Sequence, residues 1–186
     1  MSIVLVGSTS GSVTLQEPAV AGTTVLDLPA VSGTVLTTGT TGQVIASGAL
    51  PIGSVLQVVN ATYGTATTTA SGTYTDTGLT ATITPKFATS KILVLVNQAG
   101  CNAQTNTNGV NVQLVRNSTG LGTFAAYYSY TTGGSICGAS ISYLDSPATT
   151  SATTYKTQQA RASGAGNVQT QSNDALSTIT LMEIAA

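Results

Sequence analysis

The stretch Ser90–Val96, SKILVLV, is the longest uninterrupted apolar run in the chain, and it holds no glycine, proline or threonine. A short run rich in β-branched residues and bounded by turn formers predicts a strand rather than a helix, and one buried on both faces. Asn97, Gly100 and Asn102 follow at once and would interrupt a helix. The run therefore predicts an interior strand with a second layer packed over it. Ile92, Val94 and Val96 are expected on one side and Leu93 and Leu95 on the other, all of them covered.

Around this strand the pattern is one of short segments and frequent turns. Strands are predicted at Ser54–Asn60, Thr65–Ser71, Thr73–Thr77, Leu79–Thr84, Lys91–Gln98, Gly109–Arg116, Thr123–Tyr130, Ile136–Leu144, Thr153–Arg161, Asn167–Gln171 and Ser177–Ile184. Alternation is clearest where Val110, Val112 and Leu114 interleave with Asn111 and Gln113, and where Leu79, Ala81 and Ile83 interleave with Thr80 and Thr82. Asn108-Gly109 suits a tight hairpin because both residues tolerate positive φ, and Gly133-Gly134 suits another. Asp145-Ser146-Pro147 marks a turn in which Asp145 is expected to accept backbone N–H bonds. No segment has a helical period. Regular short strands with turns between them predict an all-β fold, an antiparallel β-sandwich of jelly-roll type.

The first forty residues follow a different rule. Gly11, Gly22 and Gly33 recur at a fixed interval, and Pro18-Ala19-Val20 returns as Pro29-Ala30-Val31. Each unit reads as a short strand, ending near Leu15 or Leu28, and then a turn at the proline. A strand this short cannot bury its own apolar face and needs neighbouring copies, against which stands a floppy, low-complexity leader. Val13, Leu15, Val25, Leu26, Leu28, Val31 and Val35 are the predicted partner contacts. Burial of each such side chain contributes about 1.5–3 kcal/mol, so together they favour an anchor or trimerisation segment ordered against other chains. The predicted organisation is a β-repeat segment over 1–42, a linker over 43–52 with a short strand at Gln43–Ala46, and the sandwich over 53–186.

Composition narrows the functions available. Charged residues make up 6% of the 186, the net charge is −1, and there is no histidine. The recurrent Val, Ile, Leu and Tyr are unlike a disordered chain. No apolar run approaches the ~20 residues that span a bilayer, so no membrane partner is expected. Five scattered Lys and Arg make no basic footprint, so no nucleic acid is expected either. A surface solvated by hydroxyls and amides lacks the repulsion that keeps proteins apart, which suits a subunit fixed in an assembly. Met1–Val6 has no charged n-region, and synthesis in a cytosol is expected; Cys101 and Cys137 could pair, but a cytosolic origin favours reduced thiols acting as small apolar residues at strand ends.

Candidate chemistry is sparse. Without histidine there is no Ser-His or Cys-His pair and no imidazole ligand. The carboxylates Glu17, Asp27, Asp76, Asp145, Asp174 and Glu183 are far apart in sequence, and Asp76, Asp145 and Asp174 read as backbone caps rather than acids of a glycosidase pair. No loop alternates Asp and Asn as calcium sites do. No catalytic residue, cofactor or metal site is expected. Tyr127, Tyr128 and Tyr130 in TFAAYYSY are candidates for a glycan-stacking platform, against which stands packing between sheets or subunits.

The opening GSVTLQEPAVAGTTVLDLPAVSGTVLTTG resembles a short module near the ends of bacteriophage tail-fibre and virion proteins. The pieces IGSVLQVVNATY, TDTGLTATITPKFATSKILVLV, LVRNSTGL, SYLDSPATTSATTYKTQ and STITLMEI resemble, in order, the C-terminal domain of phage fibre and head-decoration proteins. The resemblance implies a homotrimeric β-sandwich displayed on a virion, held there by its N-terminal segment and contacting other capsid or tail proteins. The short chain favours a capsid decoration or head fibre. The alternative it implies is a tail-fibre tip that recognises host surface glycans. Deleting residues 1–42 is expected to leave a folded, trimer-competent sandwich that no longer incorporates into particles, which quantifying the bound protein on purified particles would check.

Overall fold

The structure, a computed structural model, describes residues 2–6, 12–16, 50–105, 108–129 and 136–186. The chain forms two compact units, 1–44 and 45–186. In the first, β1 (Ser2–Val6) and β2 (Ser12–Gln16) pair antiparallel, with Ile3 opposite Leu15 and Leu5 opposite Val13. The predicted strand ending near Leu15 is therefore β2, and its partner β1 comes from the Ile3–Val6 run. Val25, Leu26, Leu28, Val31 and Val35, the repeat prolines and the strand predicted at Gln43–Ala46 lie outside the described residues.

The second unit is built from β3 (Val55–Tyr63), β4 (Thr67–Thr69), β5 (Thr75–Ile83), β6 (Lys91–Ala103), β7 (Gly109–Arg116), β8 (Thr119–Ser129), β9 (Ile136–Asp145), β10 (Thr153–Arg161), β11 (Val168–Thr170) and β12 (Ser177–Ile184). One sheet runs β5-β10-β7-β8. In the other, β6 pairs with β9 on one side and with β12 on the other, and β3 flanks β12. Beyond the end of β12, β11 pairs with β6 at Asn102 and Ala103, and β4 flanks β11. Setting aside the short β4 and β11, eight strands remain. In chain order the first, eighth, third and sixth make one sheet, and the second, seventh, fourth and fifth make the other. That interleaving is the jelly roll.

The inner face of β6 runs the length of the core. Ile92, Val94 and Val96 join Leu79, Ala81, Ile83, Leu114, Tyr155, Ile179 and Leu181 in one apolar cluster. Further along, Cys101 joins Val110, Val112, Ala125, Ala139 and Val168 in a second. Between these neighbours on β6 lies Gln98, fully buried, in a chain of hydrogen bonds that crosses from sheet to sheet. The Thr77 and Thr157 hydroxyls contact each other, and Thr157 donates to Gln98 Oε1 at 2.7 Å. Gln98 Nε2 and the Ala99 amide both donate to Ser177 Oγ, at 3.0 and 2.9 Å. Burying a polar group is costly unless it is hydrogen-bonded, and both ends of the Gln98 amide are satisfied in this way.

A second polar tie closes the opposite end. Arg116 Nη1 donates to both carboxylate oxygens of Asp145 at 2.8 Å, and the buried Tyr155 hydroxyl donates to Asp145 Oδ2 at 2.6 Å. Arg116 and Tyr155 belong to one sheet and Asp145 to the other. This corrects the expectation that Asp145 caps backbone amides. Its side chain is turned inward, where a guanidinium and a phenol offer charge-assisted bonds.

Other expectations are also corrected. Leu93 and Leu95 are only half-buried, because a two-layer sandwich covers one face of each sheet, whereas the apolar run alone reads as covered on both. Asn108-Gly109 is not a positive-φ hairpin. Instead the Asn108 side chain binds the carbonyls of Ala165 and Asn167 and the Gly109 amide, fixing the approach to β7. The tight two-residue turn lies at Asn117-Ser118, between β7 and β8, with Asn117 at φ 53°. Gly133-Gly134 lies outside the described residues.

The strands predicted on either side of Gly78 are one continuous β5. Gly78 carries the chain through at φ 90° beneath the Tyr63 ring, where an added Cβ would come within 2.3 Å of Cε1. Gly78→Ala is expected to cost about 2–4 kcal/mol of stability, from backbone strain and displacement of the ring. Gly53→Ala, at a similar positive φ but with open space around it, should cost only about 1 kcal/mol. Urea unfolding of the two variants checks the difference.

Candidate interaction surface

Each sheet turns one face to the other, and the outer face of the β9-β6-β12-β3 sheet is set by the residues that alternate outward. Met182 on β12 stands opposite Val58 on β3 and Leu93 on β6, and Leu93 stands opposite Leu144 on β9. Four apolar side chains thus form a row across four strands. Ile184 opposite Val55 extends it on one side and Leu95 on the other. Val55, Val58 and Leu144 are each about half exposed, at 50%, 55% and 53%. Among the described strands of the second unit none packs over this face. Lys91, opposite Ile184, borders it, and no carboxylate interrupts the row. Toward the other end the face turns polar through Asn60, Thr180 and Ser142, where Asn60 Nδ2 donates to Thr180 Oγ1 at 2.8 Å.

Sequence reading missed this surface because it assigned Leu93 and Leu95 to a doubly covered strand. The signal was nevertheless present. In STITLMEI, Ile179 and Leu181 already supply the inward positions, so Met182 and Ile184 are surplus to the core. An apolar cross-strand row of this kind is what partner contacts are made from.

Asp76, Asp145 and Glu183 are engaged separately and share no partner. Asp76 accepts from Lys156 Nζ at 2.8 Å and Gln158 Nε2 at 2.7 Å, so it links β5 to β10 rather than capping backbone as expected. Burial alone would raise its pKa, but the bonds from Lys156 and Gln158 and the lysine charge hold it below the usual range. Glu183 is fully buried and accepts from the Lys86 and Phe87 amides and from Gln57 Nε2. Burial opposes its ionisation too, yet those bonds win and its pKa is lowered. Tyr155 is pushed above the ordinary tyrosine range, first by burial and then by Asp145. The Arg116 guanidinium is likewise held more firmly protonated, chiefly by its bonds to Asp145. Asp174 sits in the turn at Ser172–Asp174 as expected, with positive φ. Glu17 and Asp27 lie outside the described residues.

A shallow depression of about 280 Å³ is lined by Asp76, Gly78, Leu79, Thr80, Thr154 and Lys156. Its two charges neutralise each other in the Asp76–Lys156 pair, which leaves little to act on a ligand. Among the described residues no group of three or more His, Cys, Asp or Glu could hold a metal, and no helix is long and apolar enough to cross a membrane. The backbone of Tyr127 and Tyr128 lies on β8, with Tyr128 opposite Val110, and Tyr130 lies outside the described residues. Val13 and Leu15 lie on β2, in the other unit.

The architecture defines a class, an antiparallel jelly-roll sandwich with an apolar row on the outer face of one sheet. No protein-family model matches the chain, and no curated protein matches it. Among solved structures it is similar to the VP2 subviral particle of infectious bursal disease virus, with a TM-score of 0.47 and 10% identity over 71% of this chain and 34% of that one. It is also similar to T=1 particles derived from infectious bursal virus, with a TM-score of 0.42 and 14% identity over 98% of this chain and 44% of that one. For the Gt strain of infectious bursal disease virus the TM-score is 0.39, with 15% identity over 98% of this chain and 46% of that one. The chain spans less than half the length of these structures.

The lowered pKa of Glu183 sets a pH dependence. Its ionised form is favoured in the folded state, so the stabilisation is complete above the unfolded value near 4.5 and is lost as pH falls through the lower folded value. Glu183→Gln is expected to cost about 1–3 kcal/mol at neutral pH and to flatten the loss of stability on acidification. Thermal unfolding from about pH 7 down to about pH 3, for both proteins, checks this.

Proposed function

We propose that the chain is a structural subunit of a virus particle, a homotrimeric bacteriophage capsid-decoration or head-fibre protein anchored by its N-terminal repeats. The observation that carries this reading is the apolar row Val58–Met182–Leu93–Leu144 on the outer face of its sheet, with Val58 and Leu144 half exposed. In a chain of net charge −1, such a face is held away from a second copy by almost no repulsion. The jelly-roll strand order supports the reading, since virus shells use this architecture to build flat-sided subunits. It is a weaker support than the face, because lectins and cupins share the fold. The ordered sequence pieces that resemble phage fibre and decoration proteins supply the phage and the trimer. Work of this kind is attachment and reinforcement, and Asp76, Asp145 and Glu183 are each tied to neighbouring side chains.

Trimer contacts through this face should bury more than the ~1,000 Å² of a specific interface. Val58→Lys and Leu144→Lys place charges at half-exposed positions, where the cost to the folded subunit should stay within about 0.5 kcal/mol. Sedimentation is expected to show a wild-type trimer and a folded, monomeric double variant. A wild-type monomer at micromolar concentration, or a variant trimer, would reject the assignment of this face. Counting copies per particle then separates a decoration protein, present in capsid-lattice numbers, from a tail fibre, present in a few.

A further inference from the structure

The two cysteines of the chain lie 36 residues apart in sequence (137 − 101), yet the fold sets them face to face. Cys101 on β6 and Cys137 on β9 are direct partners in the antiparallel register. The Cys137 thiol donates to the Cys101 carbonyl at 3.4 Å, and both side chains border the same apolar cluster. Directly opposed residues on antiparallel strands have Cα atoms about 4.5–5.5 Å apart, inside the range a disulfide spans. Both cysteines are free thiols in this structure. We propose that Cys101 and Cys137 are a built cross-strand disulfide site, which an external disulfide oxidises to pin the start of β9 to β6.

The site has a structural use. β9 pairs only with β6 among the described strands, and the ladder slips between Gln98 and Cys101, just before the cysteine pair. Past that slip only Cys101 and Asn102 hold register with β9, through Cys137 and Ile136, so the beginning of β9 is its least secured part. An edge strand tied weakly at one end is prone to open and to pair elsewhere. A bond between Cys101 and Cys137 would close that end without moving either strand.

The reaction is an ordinary thiol–disulfide exchange. Cys137 is the half-exposed member and Cys101 the fully buried one, so Cys137 meets the oxidant first. Its thiolate attacks one sulfur of a small disulfide such as oxidised glutathione. A mixed disulfide forms and one thiolate leaves. Cys101, once deprotonated, attacks the Cys137 sulfur, forming the intrachain bond and releasing the second thiolate. Two protein thiols lose two electrons and two protons, and the external disulfide becomes two thiols. Burial and the nearby Cys137 push the Cys101 thiol up to about 12, so the second step is slow at neutral pH and quickens as pH rises. Such a site stays reduced where glutathione is reduced and closes where it is oxidised. The inference is independent of the virion reading and survives if that reading fails.

The test uses the full chain, purified reduced and incubated with oxidised glutathione at several pH values. Trypsin separates the two cysteines, since Lys91, Arg116 and Lys156 place Cys101 in the 92–116 peptide and Cys137 in the 117–156 peptide. Non-reducing mass analysis is expected to show these peptides joined, with the intact monomer lighter by two hydrogen atoms. The thermal midpoint should rise by about 10 °C and fall back on reduction. Cys101→Ser is expected to accumulate glutathione on Cys137 instead. Wild-type thiols that both remain free to alkylate after unfolding would overturn the proposal. So would a persistent mixed disulfide on Cys137, a disulfide between two chains, or a cross-link that lowers the midpoint.

Discussion

Strand β6 is the element on which the sandwich depends. It is flanked by β12 and β9 over nearly the same residues, so its backbone bonds on both edges are taken within the sheet. Its inner side chains run from Ile92 to Cys101 through both apolar clusters. Disturbing it disturbs two neighbouring strands and two parts of the core together. The other strands are each attached to fewer partners and less of the core.

The two sheets are held by more than apolar contact. The Thr77–Thr157–Gln98–Ser177 chain crosses the interior between the clusters, and Arg116, Tyr155 and Asp145 tie the sheets at one end. Groups of this kind add modest net stability while satisfied, but each becomes costly when its partner is removed. They therefore penalise sliding of one sheet over the other, because a shifted register would strand buried amides and a carboxylate. In a chain this poor in charge, hydroxyls and amides carry that task, and the described residues contain only two ion pairs, Arg116–Asp145 and Lys156–Asp76.

Covering one face of a sheet leaves the other to be matched to water or to a partner. Here the same residues that make the centre of β6 apolar throughout also make its outer face apolar. Leu93 is half-buried and stands opposite Met182 on one side and Leu144 on the other. The surface is thus a consequence of the core strand's own composition, extended by Val58 and Val55 on β3. A partner that covers it would complete burial the single subunit begins.

Much of the fold was legible in the amino-acid sequence. Period-two alternation placed β7 at its observed bounds, and the breaks at Gly, Asn and Pro separated most strands, because these signals are local. β5 was misread as two strands since a glycine usually interrupts, and only the ring of Tyr63, fifteen residues upstream (78 − 63), explains why it continues. Which strands share a sheet was decided by tertiary structure, and with it the inward turn of Asp145 toward Arg116, the outward face of Leu93 and the meeting of Cys101 with Cys137. Each of these joins residues far apart in the chain, through pairings whose register is set by fitting two sheets together rather than by any local preference.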